Sequence, residues 1–215
     1  MLEKGPRLIL HIDLDCFFVS VERVLDPGLN EKPVIVSGNP EGRGVVSSAS
    51  YEARAFGVKS GMPIQKARRL CKDALVLPVR MGAYAEFSER VFDLLRDFSP
   101  LVEEASIDEA YLDITGTQRL FGPAKTAGEM IQKRLKQELG LPSSLGIGRN
   151  KMIAKIASKL AKPAGILEVK PGQEQNFLAE LPISAIPGVG GKTEQRLELL
   201  GAKKIKHLTR LGPKL

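Results

Sequence analysis

Two acidic clusters, each joined to a strand-like run, constrain this chain more than any other feature. Asp13-Leu14-Asp15 follows Leu8-Ile9-Leu10-His11-Ile12, and Asp108-Glu109 lies within Ala105-Ser106-Ile107-Asp108-Glu109-Ala110-Tyr111-Leu112-Asp113-Ile114. Carboxylates beside buried apolar strands are unfavourable without a cationic partner, and a pair of divalent ions would serve both clusters. Strand alternation puts Asp13 and Asp15 on one face, with the Leu14 carbonyl between them. Asp108 and Glu109 point apart in a regular strand but reach one cleft at a turn. Three carboxylates and a carbonyl suit Mg²⁺, which takes oxygen ligands and keeps its other positions for water or phosphate. The competing reading is local: Asp13 or Asp15 caps a helix beginning at Cys16, and Asp108 and Glu109 decorate a solvated hairpin.

A chain of 215 residues, 43% hydrophobic, buries a substantial core as one large or two smaller domains. No apolar run approaches the ~20 residues that span a bilayer, and the N-terminus lacks a signal-peptide pattern, so a cytoplasmic protein without membrane contact is expected. Cys16 and Cys71 have no CxxC spacing and no clustered histidines, which fits reduced thiols rather than zinc. A net charge of +7 favours an anionic partner without choosing between nucleic acid and a phosphorylated small molecule.

Along the chain the pattern is mixed, α+β. A strand over 7–14 leads to a helix over 16–25 that stops at Asp26-Pro27-Gly28. A strand over 33–36 and a glycine turn over 42–48 feeding another begin a small inserted unit, with helical stretches over 51–56 and 62–70. An amphipathic helix over 83–98 buries Phe87, Val91, Leu94, Leu95 and Phe98. Residues 102–115 read as a hairpin, and 124–139 as a helix with Met130, Ile131, Leu135 and Leu139 on its apolar side. A strand over 143–148 precedes a helix through 161, N-capped by Asn150, whose buried side is Ile153, Ile156, Ala157 and Leu160. A short strand over 166–169 completes a layout of split βαβ, ferredoxin-like type.

Beyond Pro171 the character changes. Helices over 177–181 and 193–200 flank Ile186-Pro187-Gly188-Val189-Gly190-Gly191-Lys192. A Gly-Val-Gly turn opening a helix presents N–H groups and a positive dipole end to a phosphate, as in a helix-hairpin-helix. An ordinary glycine turn between packed helices is the alternative. The apolar Ile186 and Val189, Lys192 and the basic Lys203, Lys204 and Lys206 favour DNA binding. Lys151, Lys155 and Lys159, four apart on one helix, form a basic face that either meets phosphates or is only solvated.

Six segments in order resemble those of Y-family translesion DNA polymerases, most closely the DNA polymerase IV branch. They are residues 13–22, Ser50-Tyr51-Glu52-Ala53-Arg54, residues 105–113, Gly146-Ile147-Gly148-Arg149-Asn150-Lys151, Ala161-Lys162-Pro163-Ala164-Gly165-Ile166 and Ile186-Pro187-Gly188-Val189-Gly190. The resemblance implies a ferredoxin-like palm over 1–16 and 80–169, inserted fingers over 17–79, and an incomplete α-helical thumb over 170–215, with the little finger absent. It implies template-directed addition of deoxynucleotides to a primer 3′-hydroxyl with two Mg²⁺ ions, in low-fidelity lesion bypass, by a monomer. A sliding-clamp segment would belong to a longer protein. A non-catalytic DNA-binding scaffold and a two-metal nucleotidyl cyclase are the alternatives.

By the same resemblance Asp13, Asp108 and Glu109 hold the metals with the Leu14 carbonyl, and Asp15 supports them. Phe17 and Phe18 lie at the sugar, Phe18 as a steric gate against a 2′-hydroxyl, although both could be core residues of the first helix. Tyr51, Arg54 and Lys162 match triphosphate contacts. Gly44, Val45 and Ser47 form the roof over the nascent base pair, and Gly188, Gly190 and Lys192 hold the DNA backbone.

Overall fold

The computed structural model describes residues 7–210; the outer ends of the expected palm and thumb, 1–6 and 211–215, lie outside the described residues. Strand β1 (Ile9–Leu14) is followed by helix α1 (Phe17–Leu25), and then by β2 (Val34–Ser37), β3 (Val46–Ala49), α2 (Tyr51–Ala55), α3 (Ile64–Leu70) and β4 (Leu75–Pro78). Helix α4 (Met81–Arg96) leads to the hairpin β5 (Val102–Glu104) and β6 (Glu109–Asp113), and to α5 (Gln118–Phe121) and α6 (Ala124–Arg134). The remainder is β7 (Ser143–Gly148), α7 (Lys151–Ala161), β8 (Ile166–Glu168), α8 (Glu174–Ala179) and α9 (Gly191–Leu199).

The larger sheet has the order β5-β6-β1-β7-β8, with β1 central and antiparallel to both neighbours and β8 parallel to β7. Alternation divides β1: Leu10, Ile12 and Leu14 enter the main core with residues of α4 and α6, whereas His11 and Asp13 contact residues in and just after α7. Phe17, Val19 and Val21 of α1 join that core. The smaller sheet, β3-β2-β4, has its own cluster of Ile35, Val46, Ala49, Ile64 and Ala67. Its third strand, β4, lay outside the sequence expectation because Leu75-Val76-Leu77-Pro78 has neither polar alternation nor full burial.

Most expected elements form where the periodicity puts them. Asn150 caps α7, its side chain accepting from Ile153 N–H at 2.9 Å. Helix 83–98 is α4, and Phe87, Val91, Leu94, Leu95 and Phe98 are all buried. Two expected core residues are corrected: Met130 is 40% and Leu160 50% exposed, each at the margin of its helix's apolar stripe. Helix α6 runs on into a π-type turn over Leu135–Leu139, whose Leu135 and Leu139 are buried in the core.

Helix α7 approaches β7 through glycine. A Cβ added at Gly146 would stand 2.0 Å from Ala154 O and 2.2 Å from Ser158 N, both backbone atoms that cannot yield independently. Gly146→Ala is therefore expected to destabilise the fold by about 4 kcal/mol and lower Tm by roughly 10 °C in a thermal melt.

Candidate active site

Antiparallel pairing brings the two acidic clusters together. Asp13 on β1 is the register partner of Glu109 on β6, and Leu14 N–H donates to Asp108 O at 3.0 Å. Each of the paired acids holds a lysine. Lys162, just after α7, places Nζ 2.5 Å from Asp13 Oδ1, and Lys155 on α7 pairs with Glu109 Oε2. Burial pushes the Asp13 carboxyl up, against the pull of Lys162. The Glu109 carboxyl is lowered to about 2 by the His11 ring first and then, against burial, by Lys155. Asp108 is turned aside, its Oδ1 accepting from Ser106 Oγ at 2.6 Å. As placed, no group of three such side chains among the described residues forms a ready metal cage.

Asp15 does not share a face with Asp13. Strand β1 ends at Leu14, and Cys16 adopts a left-handed φ of 47° that turns the chain into α1. Asp15 is thereby 1% exposed and becomes a buried acceptor for Tyr51 Oη at 3.1 Å, Ser144 Oγ at 2.9 Å and Ala164 N–H at 2.7 Å. This carboxylate ties α2, β7 and the loop carrying Lys162 to the end of β1. Asp15→Ala would leave those donors unsatisfied, with an expected loss of about 3 kcal/mol and a fall in Tm of roughly 6–12 °C.

A cleft of about 130 Å³ opens above the acids. Asp13, Leu14 and Asp108 line one side, Phe18, Ser47 and Arg54 another, and Lys162 a third. The first two helix positions divide as their directions require: Phe17 is 2% exposed in the main core although it borders the cleft, while half-buried Phe18 stacks on Tyr84 at 4.2 Å and 10°. Tyr84 is fully buried, and its hydroxyl donates to Glu22 Oε1 at 2.7 Å. The Arg80 guanidinium closes on the same carboxylate, so the acceptor that holds the Tyr84 hydroxyl under Phe18 is itself fixed. Arg54 Nε donates to Ala49 O at 3.0 Å, and its guanidinium lies 5.4 Å over the Tyr51 ring. Burial, then the Asp15 charge, hold the Tyr51 phenol above its usual range.

Of the three roof residues, Ser47 lines the cleft. Gly44 and Val45 lie outside its lining, Val45 being 53% exposed and bridged to Pro63. In the C-terminal unit Gly188 has a φ of +89°, Gly190 is the N-cap of α9, and Lys192 is exposed beside it. The loop that contains Gly188 faces Asp13, Glu109 and Lys155 across a second cleft of about 170 Å³. On α7, Lys155 pairs with Glu109 and exposed Lys151 with Glu103, while Lys159 is exposed.

Sequence reading missed His11, Tyr84, Glu22 and Ser144. His11 carried a usable signal, a polar residue in register with Asp13 on an otherwise apolar strand. The other three depend on tertiary contacts between segments distant in sequence.

The chain matches the impB/mucB/samB family model over residues 12–159 and the IMS family HHH motif over residues 171–202. It is 47% identical over 205 residues to DNA polymerase IV of Dehalococcoides mccartyi (strain CBDB1), covering 95% of this chain and 53% of the relative. DNA polymerase IV of Halorhodospira halophila (strain DSM 244 / SL1) is 45% identical over 202 residues, 94% of this chain and 57% of that one. Among solved structures, DinB from Sulfolobus solfataricus superposes with a TM-score of 0.86 at 37% identity, over 94% of this chain and 60% of that chain. An insertion ternary complex of Dbh DNA polymerase gives 0.86 at 36% identity over the same shares, 94% and 60%. The chain thus spans about half the length of the curated relatives it matches. Matching family models, ordered motifs and shared fold together place the chain in the impB/mucB/samB family, among its Y-family, DNA polymerase IV-like members.

Proposed function

We propose that the chain is the catalytic part of a template-directed DNA polymerase that adds deoxynucleotides to a primer 3′-hydroxyl, in synthesis across damaged template. The observation that carries this reading is the pairing of Asp13 with Glu109, with Asp108 at the adjoining turn, beneath a cleft that also holds Phe18, Arg54 and Lys162. The larger sheet with α4, α6 and α7 corresponds to the palm (1–16 and 80–169), residues 17–79 to the fingers, and 170–215 to part of the thumb.

Asp13 and Glu109 lie close together and each already carries an ammonium counter-charge, which is the chemistry of a site that accepts hard cations. Asp108, Asp13, Glu109 and the Leu14 carbonyl would hold two Mg²⁺ ions, whose charge would lower the pKa of the attacking hydroxyl and neutralise the departing pyrophosphate. Lys162 and Arg54 bind the triphosphate, Arg54 as a planar fork and Lys162 as a point charge released from Asp13. Tyr51 contacts the same phosphates from α2. Phe18, backed by Phe17 in the core, excludes a ribose 2′-hydroxyl. Gly44, Val45 and Ser47 form the wall nearest the nascent base pair. The N–H groups around Gly188 and Gly190, with Lys192, grip the DNA backbone without reading sequence. The protein acts on cytoplasmic DNA as a monomer.

Primer extension with Mg²⁺ and each deoxynucleotide separately tests the reading. Incorporation dictated by the template base is expected. A nucleotide product formed without template would instead indicate a cyclase, and DNA binding without extension a scaffold.

A further inference from the structure

We propose that His11 is a positioning residue for Glu109, an inference that rests on the assignment of Glu109 to the cation site above. His11 is fully buried in β1, two residues before Asp13 and on the same face. Its Nδ1 lies 2.6 Å from Ser158 Oγ on α7, and its ring packs against Tyr111 at 4.6 Å. The second ring nitrogen, Nε2, is buried, makes no hydrogen bond among the described residues, and faces Glu109 Oε2 at 3.8 Å. A buried polar atom without a partner calls for a reason.

The two neutral tautomers differ sharply here. With the proton on Nδ1, Nε2 turns a bare, buried lone pair toward a carboxylate oxygen, two acceptors face to face. With the proton on Nε2, the Ser158 hydroxyl donates to Nδ1 and the ring N–H points at Glu109. The Ser158 hydroxyl has one proton and a second acceptor, the Lys155 carbonyl at 2.9 Å, so its 2.6 Å contact to Nδ1 fits either tautomer and the facing carboxylate decides between them. The arrangement thus selects Nε2–H, and a carboxylate shift of roughly 0.8 Å closes a normal hydrogen bond.

Lys155 addresses the same Oε2 from the other side. Gripping one oxygen leaves Oε1 to share a cation with Asp13. A flexible ammonium can be drawn away to a phosphate, whereas a ring locked between Tyr111 and Ser158 cannot. Ser158 orients His11, and His11 orients Glu109, in the way that ligand carboxylates and imidazoles are commonly held from behind.

The test uses the full chain and two readouts. The protein contains two histidines, His11 and His207, so ¹⁵N-detected imidazole spectra of the metal-free protein are assigned with a His207→Gln variant. A proton on Nε2 of His11 is expected; a ring protonated at Nδ1 alone overturns the proposal. Mn²⁺ affinity, measured by electron paramagnetic resonance, is expected to fall about tenfold in His11→Phe, which keeps the ring packing and removes the donor. His11→Gln, which restores an N–H, is expected to recover most of it. If His11→Phe does not fold, Ser158→Ala replaces it, with a several-fold loss expected. Unchanged Mn²⁺ affinity in the folded variant overturns the proposal. Wild-type protein that binds Mn²⁺ but does not extend a primer overturns the polymerase reading instead, so the two failures are distinguishable.

Discussion

Asp108→Ala is expected to abolish the proposed primer extension while leaving DNA binding and thermal stability in place, with a loss of turnover on the order of 10³-fold. The three acids are not equivalent probes of the proposed chemistry. Asp13 and Glu109 are partly buried, and each anchors a lysine from the α7 region, so removing either frees an ammonium beside a half-buried strand end. Loss of activity there would mix catalysis with local rearrangement. Asp108 is partly exposed at the tip of the β5–β6 hairpin, and among the described residues its side chain is hydrogen-bonded to nearby Ser106. Exposed pairs of this kind contribute little to stability, so Tm is expected to move by less than about 2 °C. Single-turnover extension, a DNA-binding titration and a melt on the same preparation check all three parts. Extension within tenfold of wild type would remove Asp108 from the reaction, and with it the basis for a two-ion site.

The parts of this site that were legible in the sequence are those set by local rules. Asn150 before an apolar 3.6-residue stripe announced α7, and the alternation around Asp13 and Asp108 announced two strands with acids at their ends. Pairing of Asp13 with Glu109 then needed only one topological step, two antiparallel neighbours in a single sheet. Asp15 shows where that logic stopped. Period-two alternation puts it beside Asp13, but the positive φ at Cys16 is a backbone choice made by tertiary packing, and it sends the carboxylate inward to Ser144 and Ala164. The strand β4 failed for a related reason: its four residues gain their place from β2, not from a pattern of their own. Lys162 was assigned to the triphosphate by resemblance, yet it lies on Asp13 here. The two placements are compatible under the proposed chemistry, because an ammonium that balances Asp13 would be displaced by a divalent cation and would then be free for phosphate oxygens.

Phe18→Ala is expected to lower discrimination against ribonucleotides by about 10²-fold, equivalent to about 2.7 kcal/mol, while changing deoxynucleotide incorporation far less. The argument is geometric. The Phe18 ring cannot retreat from an intruding hydroxyl, because it lies flat on Tyr84 at 4.2 Å, and Tyr84 is held by Glu22 and Arg80. An aromatic face offers a 2′-hydroxyl no hydrogen-bond partner, so the penalty combines overlap with lost solvation. Phe17 provides the internal control one residue away. Its ring belongs to the main core, so Phe17→Ala should cost about 3–5 kcal/mol of stability and lower Tm without relaxing sugar choice. Phe18, half-buried at the cleft, should show the opposite pattern, a small loss of stability with a large change in selectivity. The measurement is the ratio of kcat/KM for matched deoxy- and ribonucleotides on one primer-template, taken for both variants. A ratio that stays constant in Phe18→Ala, or that relaxes equally in Phe17→Ala, would mean that the ring at 18 is a core residue at the cleft's edge and that sugar selection lies elsewhere.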